Sequence, residues 1–204
     1  MSYAERTKRP PRTLTDREVK KILDVTGKAK DGFRDHMIIS LALGCGLRES
    51  EIVALTIDDV AKADRLTPKR IIKLRVFKRA GHDATPADHY VHVPDATYYK
   101  LEKYLKAIKA SEFYPDTPIF TSRQSMSLST RQVRWMFRTW QQRAGFDRPY
   151  NFHCLRHTAV TNVRKISSIK HAQRFARHAN IATTARYDHV SDDELAAAVK
   201  GLTA

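Results

Sequence analysis

Apolar residues recur along most of this chain at the three-and-four spacing of helices, and they switch to strict alternation in one stretch only. Val19, Ile22 and Leu23 make one helical face directly after Thr15-Asp-Arg-Glu18, a Thr and a Glu at the spacing of a capping box. That helix is predicted to stop at Gly27. The segment from Arg34 to Leu43 is nearly all apolar, as a helix buried on every side would be, and breaks at Gly44-Cys45-Gly46. Leu47-Arg48-Glu49-Ser50-Glu51-Ile52 then opens a third helix. Between about Ile71 and Val93 the period changes to two. Ile72, Leu74 and Val76 alternate with Lys73, Arg75 and Phe77, and Tyr90-Val-His-Val93 closes a hairpin across the polar stretch from Lys78 to His89.

Helical spacing resumes from Ala96 to Lys109. Ser129-Thr-Arg-Gln132 is a second capping box, opening a helix through Val133, Met136, Phe137 and Trp140 that stops near Gly145. Further helices are predicted from His153 to Lys165, from Lys170 to Arg177, and after Ser191-Asp-Asp-Glu194. Before the last, a turn at Asn180 leads into a helix with Tyr187 near its end. The class is mainly α with a small antiparallel β-sheet inserted early, an α+β arrangement. Pro10 and Pro11 oppose regular structure, so residues 1–13 read as a basic arm or linker carrying Lys8, Arg9 and Arg12.

Charge narrows the partners. Among 204 residues, 37 Lys and Arg against 22 Asp and Glu leave a formal +15, with 42% hydrophobic and 29% charged content. That is a folded chain with a surplus of positive charge, and the first partner to expect is a nucleic acid. Its longest apolar stretch, Met37 to Leu47, falls well short of the roughly 20 residues that a spanning helix needs, so no membrane is expected. Two cysteines, Cys45 and Cys154, are too few for a disulfide scaffold and suit a reducing compartment.

Three segments carry candidate chemistry. Arg48 follows a glycine break at the mouth of an apolar helix, where pairing with Glu49 or Glu51 would alone explain it. His153, Arg156 and His157 lie three and four apart and share one helical face. Two histidines at that spacing can bind a metal when a Glu stands beside the first, but here Cys154 stands there. An arginine between the ligands would also repel a cation, so the trio reads as an oxyanion site and no metal is expected. Tyr187 reads from the residues alone as a buried tyrosine whose hydroxyl finds one partner. Arg131, Arg134 and Arg138 form a cationic stripe opposite Val133, Met136, Phe137 and Trp140.

Taken in order, Thr13-Leu-Thr-Asp-Arg-Glu18, Gly46-Leu-Arg-Glu-Ser-Glu-Ile52, His153-Cys-Leu-Arg-His157 and His178 through Tyr187 resemble the catalytic domain of tyrosine recombinases, the integrase family of site-specific DNA recombinases. The resemblance implies the DNA-breaking–rejoining fold over residues 14–190. It also implies an active site in which Arg48 and Arg156 clamp the scissile phosphate, His153 transfers a proton, His178 hydrogen-bonds the phosphate and Tyr187 is the nucleophile. Glu51 would brace Arg48, and His157 matches a mainly structural position. Lys78 is the counterpart of the family's hairpin lysine, with Lys73 and Arg79 as alternatives, since Phe77-Lys-Arg-Ala-Gly81 replaces the usual glycine-rich turn. Arg177 stands where the family usually has glycine.

The implied reaction forms a 3′-phosphotyrosyl bond and a free 5′-hydroxyl, with no ATP, metal or other cofactor. The implied partners are double-stranded DNA with inverted half-sites, further copies of the chain in a tetrameric synapse, and accessory DNA-bending proteins. On the arginine stripe, Arg131 or Gln132 would read a base edge while Arg134 and Arg138 contact phosphates. Residues 191–204 would form a tail helix exchanged between protomers or packed on their own domain. Most family members carry an N-terminal core-binding domain, and only about a dozen residues precede the catalytic segment here. The chain is thus either a short recombinase of the inversion-switch type, as Met1 suggests, or a piece of a longer integrase. The expected setting is the cytoplasm of a prokaryote, phage or other mobile element. Alternative readings are a type IB topoisomerase-like enzyme, a catalytically weakened DNA-binding regulator on the same fold, and an RNA-binding or ribosome-associated basic protein.

Overall fold

The structure is a computed structural model, and it describes residues 11–74, 89–122 and 127–188. These divide into two compact units, one of residues 12–159 and one of Pro11 with the described residues from Val160 onward.

The larger unit begins with α1 (Asp16–Lys28), capped as its sequence predicts: Glu18 N–H donates to the Thr15 hydroxyl, and Thr15 N–H donates to the Glu18 carboxylate at 2.8 Å. The helix does not stop at Gly27. It runs one residue further, to Lys28, and leaves through an extended Ala29, since Gly27 keeps helical backbone and takes no left-handed turn. Next comes α2 (Phe33–Cys45), whose Met37, Ile38, Ile39, Leu41 and Ala42 are all buried. Gly44 lies inside α2, and a β-carbon there would stand 2.2 Å from the Thr97 hydroxyl. It therefore serves close helix packing. Gly46 ends the helix at φ 59°, the left-handed conformation glycine adopts at least cost.

Two short helices follow, α3 (Glu49–Val53) and α4 (Ile57–Val60). The second has its own box, in which Thr56 N–H and its hydroxyl both donate to Asp59 at 2.9 Å. At four residues it is too short for periodicity to reveal. Strands β1 (Ile71–Leu74) and β2 (His89–His92) pair antiparallel, with Ile72 opposite Val91 and both facing the core. Helix α5 (Asp95–Ala107) buries Leu101, Tyr104 and Leu105, and a single turn of 3-10 helix (Ala110–Glu112) follows. Helix α6 (Thr130–Arg143) buries Val133, Met136, Phe137 and Trp140 beneath its arginine stripe. Its Trp140 Nε1 donates to the buried Asp35 at 2.8 Å, tying α6 to α2. Cys45 and Cys154 are both buried thiols.

Helix α7 (His153–Ile166) starts in the larger unit and carries the chain out of it. The smaller unit adds α8 (Ile169–Ala176) and the single turn α9 (Ala182–Ala185). Its core is Val160, Ala172, Ala176 and Tyr187, with Val163 and Phe175 against them. Tyr187 stands two residues past this one-turn helix, not near the end of a helix as its sequence suggests. Among the described residues no helix is long and apolar enough to cross a membrane.

Candidate active site

Arg48 occupies the N-cap of α3, held by Glu51 from both ends. Its backbone N–H donates to Glu51 Oε2 at 2.7 Å, and its Nη1 pairs with Glu51 Oε1 at 2.6 Å. The acidic brace is therefore the residue three positions on, the same-face neighbour on a helix. Glu49, the other partner considered, instead pairs with Arg134 on α6. Arg48 keeps 38% of its side chain open, so the braced guanidinium still has a free edge for an anion.

Arg156 comes from α7 and is 1% exposed, the largest fully buried side chain among the described residues. Its Nη1 donates to the carbonyl of Gly46, two residues before Arg48. The left-handed turn that ends α2 thus carries one arginine and anchors the other. His153 shares this corner. Its ring meets His157 edge-on at a centroid distance of 4.5 Å. His153 keeps an accessible edge, yet crowding by protein atoms, and then the cations Arg156 and Arg48, hold its imidazole below the usual 6.5. Desolvation comes first because a charged ring loses water there, and Glu49 and Glu51 offset it only in part. The result is a neutral imidazole beside two permanent cations, a proton acceptor in a field that attracts phosphate.

A second group forms in the smaller unit. His178 Nδ1 lies 3.0 Å from the Thr184 hydroxyl, and its ring stacks on Tyr187 at a centroid distance of 6.3 Å and 24°. Tyr187 is 7% exposed. Beyond it, Arg164 on α7 pairs with Asp188 and holds the chain on the far side of the tyrosine. Arg177 caps α8 with φ 52°, doing with a side chain what glycine does more cheaply, and its Nη1 donates to the Phe175 carbonyl at 3.1 Å.

The structure therefore assembles Arg48, Glu51, His153, Arg156 and His157 in one unit and His178 with Tyr187 in the other. Lys78, with the alternative Arg79, lies outside the described residues, as do Lys8, Arg9 and the tail from Ser191. Lys73, the other alternative, is on β1 opposite Tyr90 with its side chain outward. Arg12, which is described, stacks its guanidinium on the Tyr150 ring at 4.4 Å.

On α6 the stripe is less uniform than its spacing suggests. Arg131, Arg134 and Arg138 are all exposed, but Arg134 is committed to Glu49. Gln132 spends its carbonyl oxygen on the cap, accepting from Ser129 N–H at 2.8 Å, which leaves only its amide nitrogen to donate outward. One exposed residue of this face was not singled out by sequence. Trp135 is 71% exposed, and the signal available was its place four residues after Arg131.

The model of the phage integrase family matches residues 12–194, nine-tenths of the sequence. The chain belongs to the phage integrase family. Within it, the chain is 31% identical over 195 residues to a tyrosine recombinase XerC of Caldanaerobacter subterraneus subsp. tengcongensis, covering 94% of this chain and 51% of that protein. It is 29% identical over 206 residues to a tyrosine recombinase XerA of Pyrococcus horikoshii, covering 98% of this chain and 66% of the relative. The chain thus spans about half to two-thirds of the length of these relatives. Its fold matches a crystal structure of XerA recombinase with a TM-score of 0.73 at 26% identity, over 94% of this chain and 65% of that one. A Tn1549 transposon integrase, solved in complex with transposon right end DNA, shares the fold at a TM-score of 0.76 and 20% identity, over 96% of this chain and 67% of that one.

Proposed function

We propose that this integrase-family chain is the strand-transfer catalyst of a site-specific DNA recombinase, working through a 3′-phosphotyrosyl intermediate. The observation that carries the reading is the Gly46–Glu51 corner, which braces Arg48 and anchors Arg156, with His153 close enough that burial and these two cations lower its proton affinity. The named recombinase relatives and the surplus of 37 basic over 22 acidic residues support it.

In this reading Arg48 and Arg156 bind the non-bridging oxygens of one phosphodiester, and their planar forks neutralise the charge that builds as phosphorus becomes five-coordinate. Tyr187 Oη attacks phosphorus and gives its proton to His153. The bond from phosphorus to the 5′-oxygen breaks, and that oxygen takes a proton from a lysine, for which Lys78 is the candidate. His178 donates to a phosphate oxygen. Attack by the 5′-hydroxyl of a partner strand reverses the steps and joins new ends, so the phosphodiester's energy is kept. The partner DNA is a duplex with inverted half-sites, held by several copies of the chain, and the setting is the cytoplasm.

A duplex nicked just beyond the cleavage point lets the short 5′ piece diffuse away and traps the intermediate. The wild-type chain is expected to give an adduct that survives SDS, equally with and without chelator, and Tyr187→Phe to give none. An adduct retained by Tyr187→Phe, or none from the wild type on its own site, overturns the proposal.

A further inference from the structure

The chain has two tryptophans, both on α6, and they meet opposite fates. Trp140 is 3% exposed, with its Nε1 spent on Asp35, whereas Trp135 is 71% exposed. An indole left in water is the costliest side chain to expose, and it is the kind of residue that carries binding energy once covered. Its neighbours indicate what covers it. Trp135 follows Arg131 by four positions and precedes Arg138 by three, so the three side chains share one helical face. Neither Arg131 nor Arg138 makes an ion pair among the described residues, while Arg134 is turned to Glu49 at the edge of the face. An apolar plate between two cations complements a polyanion that also offers apolar contact. In the major groove of DNA that contact is the thymine C5-methyl, flanked by phosphates on both sides.

We propose that Trp135 is a specificity-determining residue that packs its indole on a thymine methyl while Arg131 and Arg138 hold the adjoining backbone. The inference rests on the DNA reading of the preceding section and adds to it the base feature that is read. Cytosine lacks the methyl, so the contact discriminates thymine from cytosine at one position and leaves the hydrogen-bonding edge to other side chains.

The test uses a duplex enriched by the wild-type chain from a random-sequence pool and made in two forms, with thymidine or with deoxyuridine throughout. These differ only in the methyl groups. The wild type is expected to bind the deoxyuridine form about fourfold more weakly for a single methyl contact, the worth of one buried carbon. Trp135→Gln is expected to lose at least that factor on the thymidine form and to bind both forms alike. Arg138→Gln should weaken both forms by one common factor. Unchanged thermal unfolding and the buried-indole emission of Trp140 show that Trp135→Gln is folded. A wild type indifferent to the methyl, or a Trp135→Gln variant as sensitive to it as the wild type, overturns the role of Trp135 and leaves the strand-transfer reading standing. Absence of duplex binding by the wild type overturns both.

Discussion

At the residue scale, the base of the proposed reaction, His153, stands beside two arginines. Arg48 and Arg156 cannot lose their charge, so they lower the affinity of His153 for a proton while they attract phosphate. Burial acts in the same direction and is the larger effect. In the proposed reaction the neutral imidazole is the proton acceptor, so the cleavage rate should stay level as pH falls from 8 to the ordinary histidine value of 6.5, and drop only below it. A pH series of adduct formation checks this. An inflection at or above 6.5 would mean that the imidazolium is favoured, and a rate that falls toward high pH would mean that His153 acts as an acid. The residue types and their spacing were readable in the sequence, and the bracing of Arg48 by Glu51 follows from i, i+3 geometry. The anchoring of Arg156 on the Gly46 carbonyl was not readable. It joins residues 110 positions apart through a backbone atom, which leaves no trace in side-chain pattern.

Elements were legible where their ends carry chemistry. The boxes at Thr15 and Ser129 mark helix starts in both sequence and structure, since a hydroxyl and an acceptor three residues on satisfy the otherwise unpaired first N–H groups. Glycine was a poorer guide. Gly27 and Gly44 lie inside helices, Gly44 to admit the Thr97 hydroxyl, while Gly46 and Gly145 take the left-handed turn. Where a left-handed cap falls on a side chain, the helix carries an avoidable cost, as at Arg177 with φ 52°. Arg177→Gly should therefore stabilise the protein by about 0.5–1 kcal/mol after the added freedom of the unfolded chain is counted. That is a rise of roughly 1–4 °C in Tm for a chain of this size. Arg177→Ala keeps the β-carbon and should give no gain. Equal Tm changes for the two variants in thermal unfolding would show that the backbone conformation is not the cause.

At the scale of the whole molecule, the order of motifs outweighed any one of them. Helical periods and one alternating stretch were enough for the class, and a formal charge of +15 raised the expectation of the nucleic-acid partner proposed above. The four spaced motifs pointed to the integrase family, which the match over residues 12–194 shows. What the pattern missed was local: the four-residue α4, the Glu49–Arg134 pair that links α6 to the Arg48 corner, and the exposure of Trp135. Periodicity needs several turns to register, and an ion pair across 85 positions is invisible to it. The two groups of candidate residues become one site only if the tyrosine of the smaller unit attacks the phosphate held by the arginines of the larger. The most direct measurement is to digest the trapped protein–DNA adduct with trypsin and nuclease and locate the nucleotide remnant by mass spectrometry. The account predicts a 3′-phosphate linked to the tyrosine of the peptide that begins after Arg186, and no such remnant from Arg156→Ala. A remnant on any other side chain, or cleaved DNA with no protein attached, would contradict it.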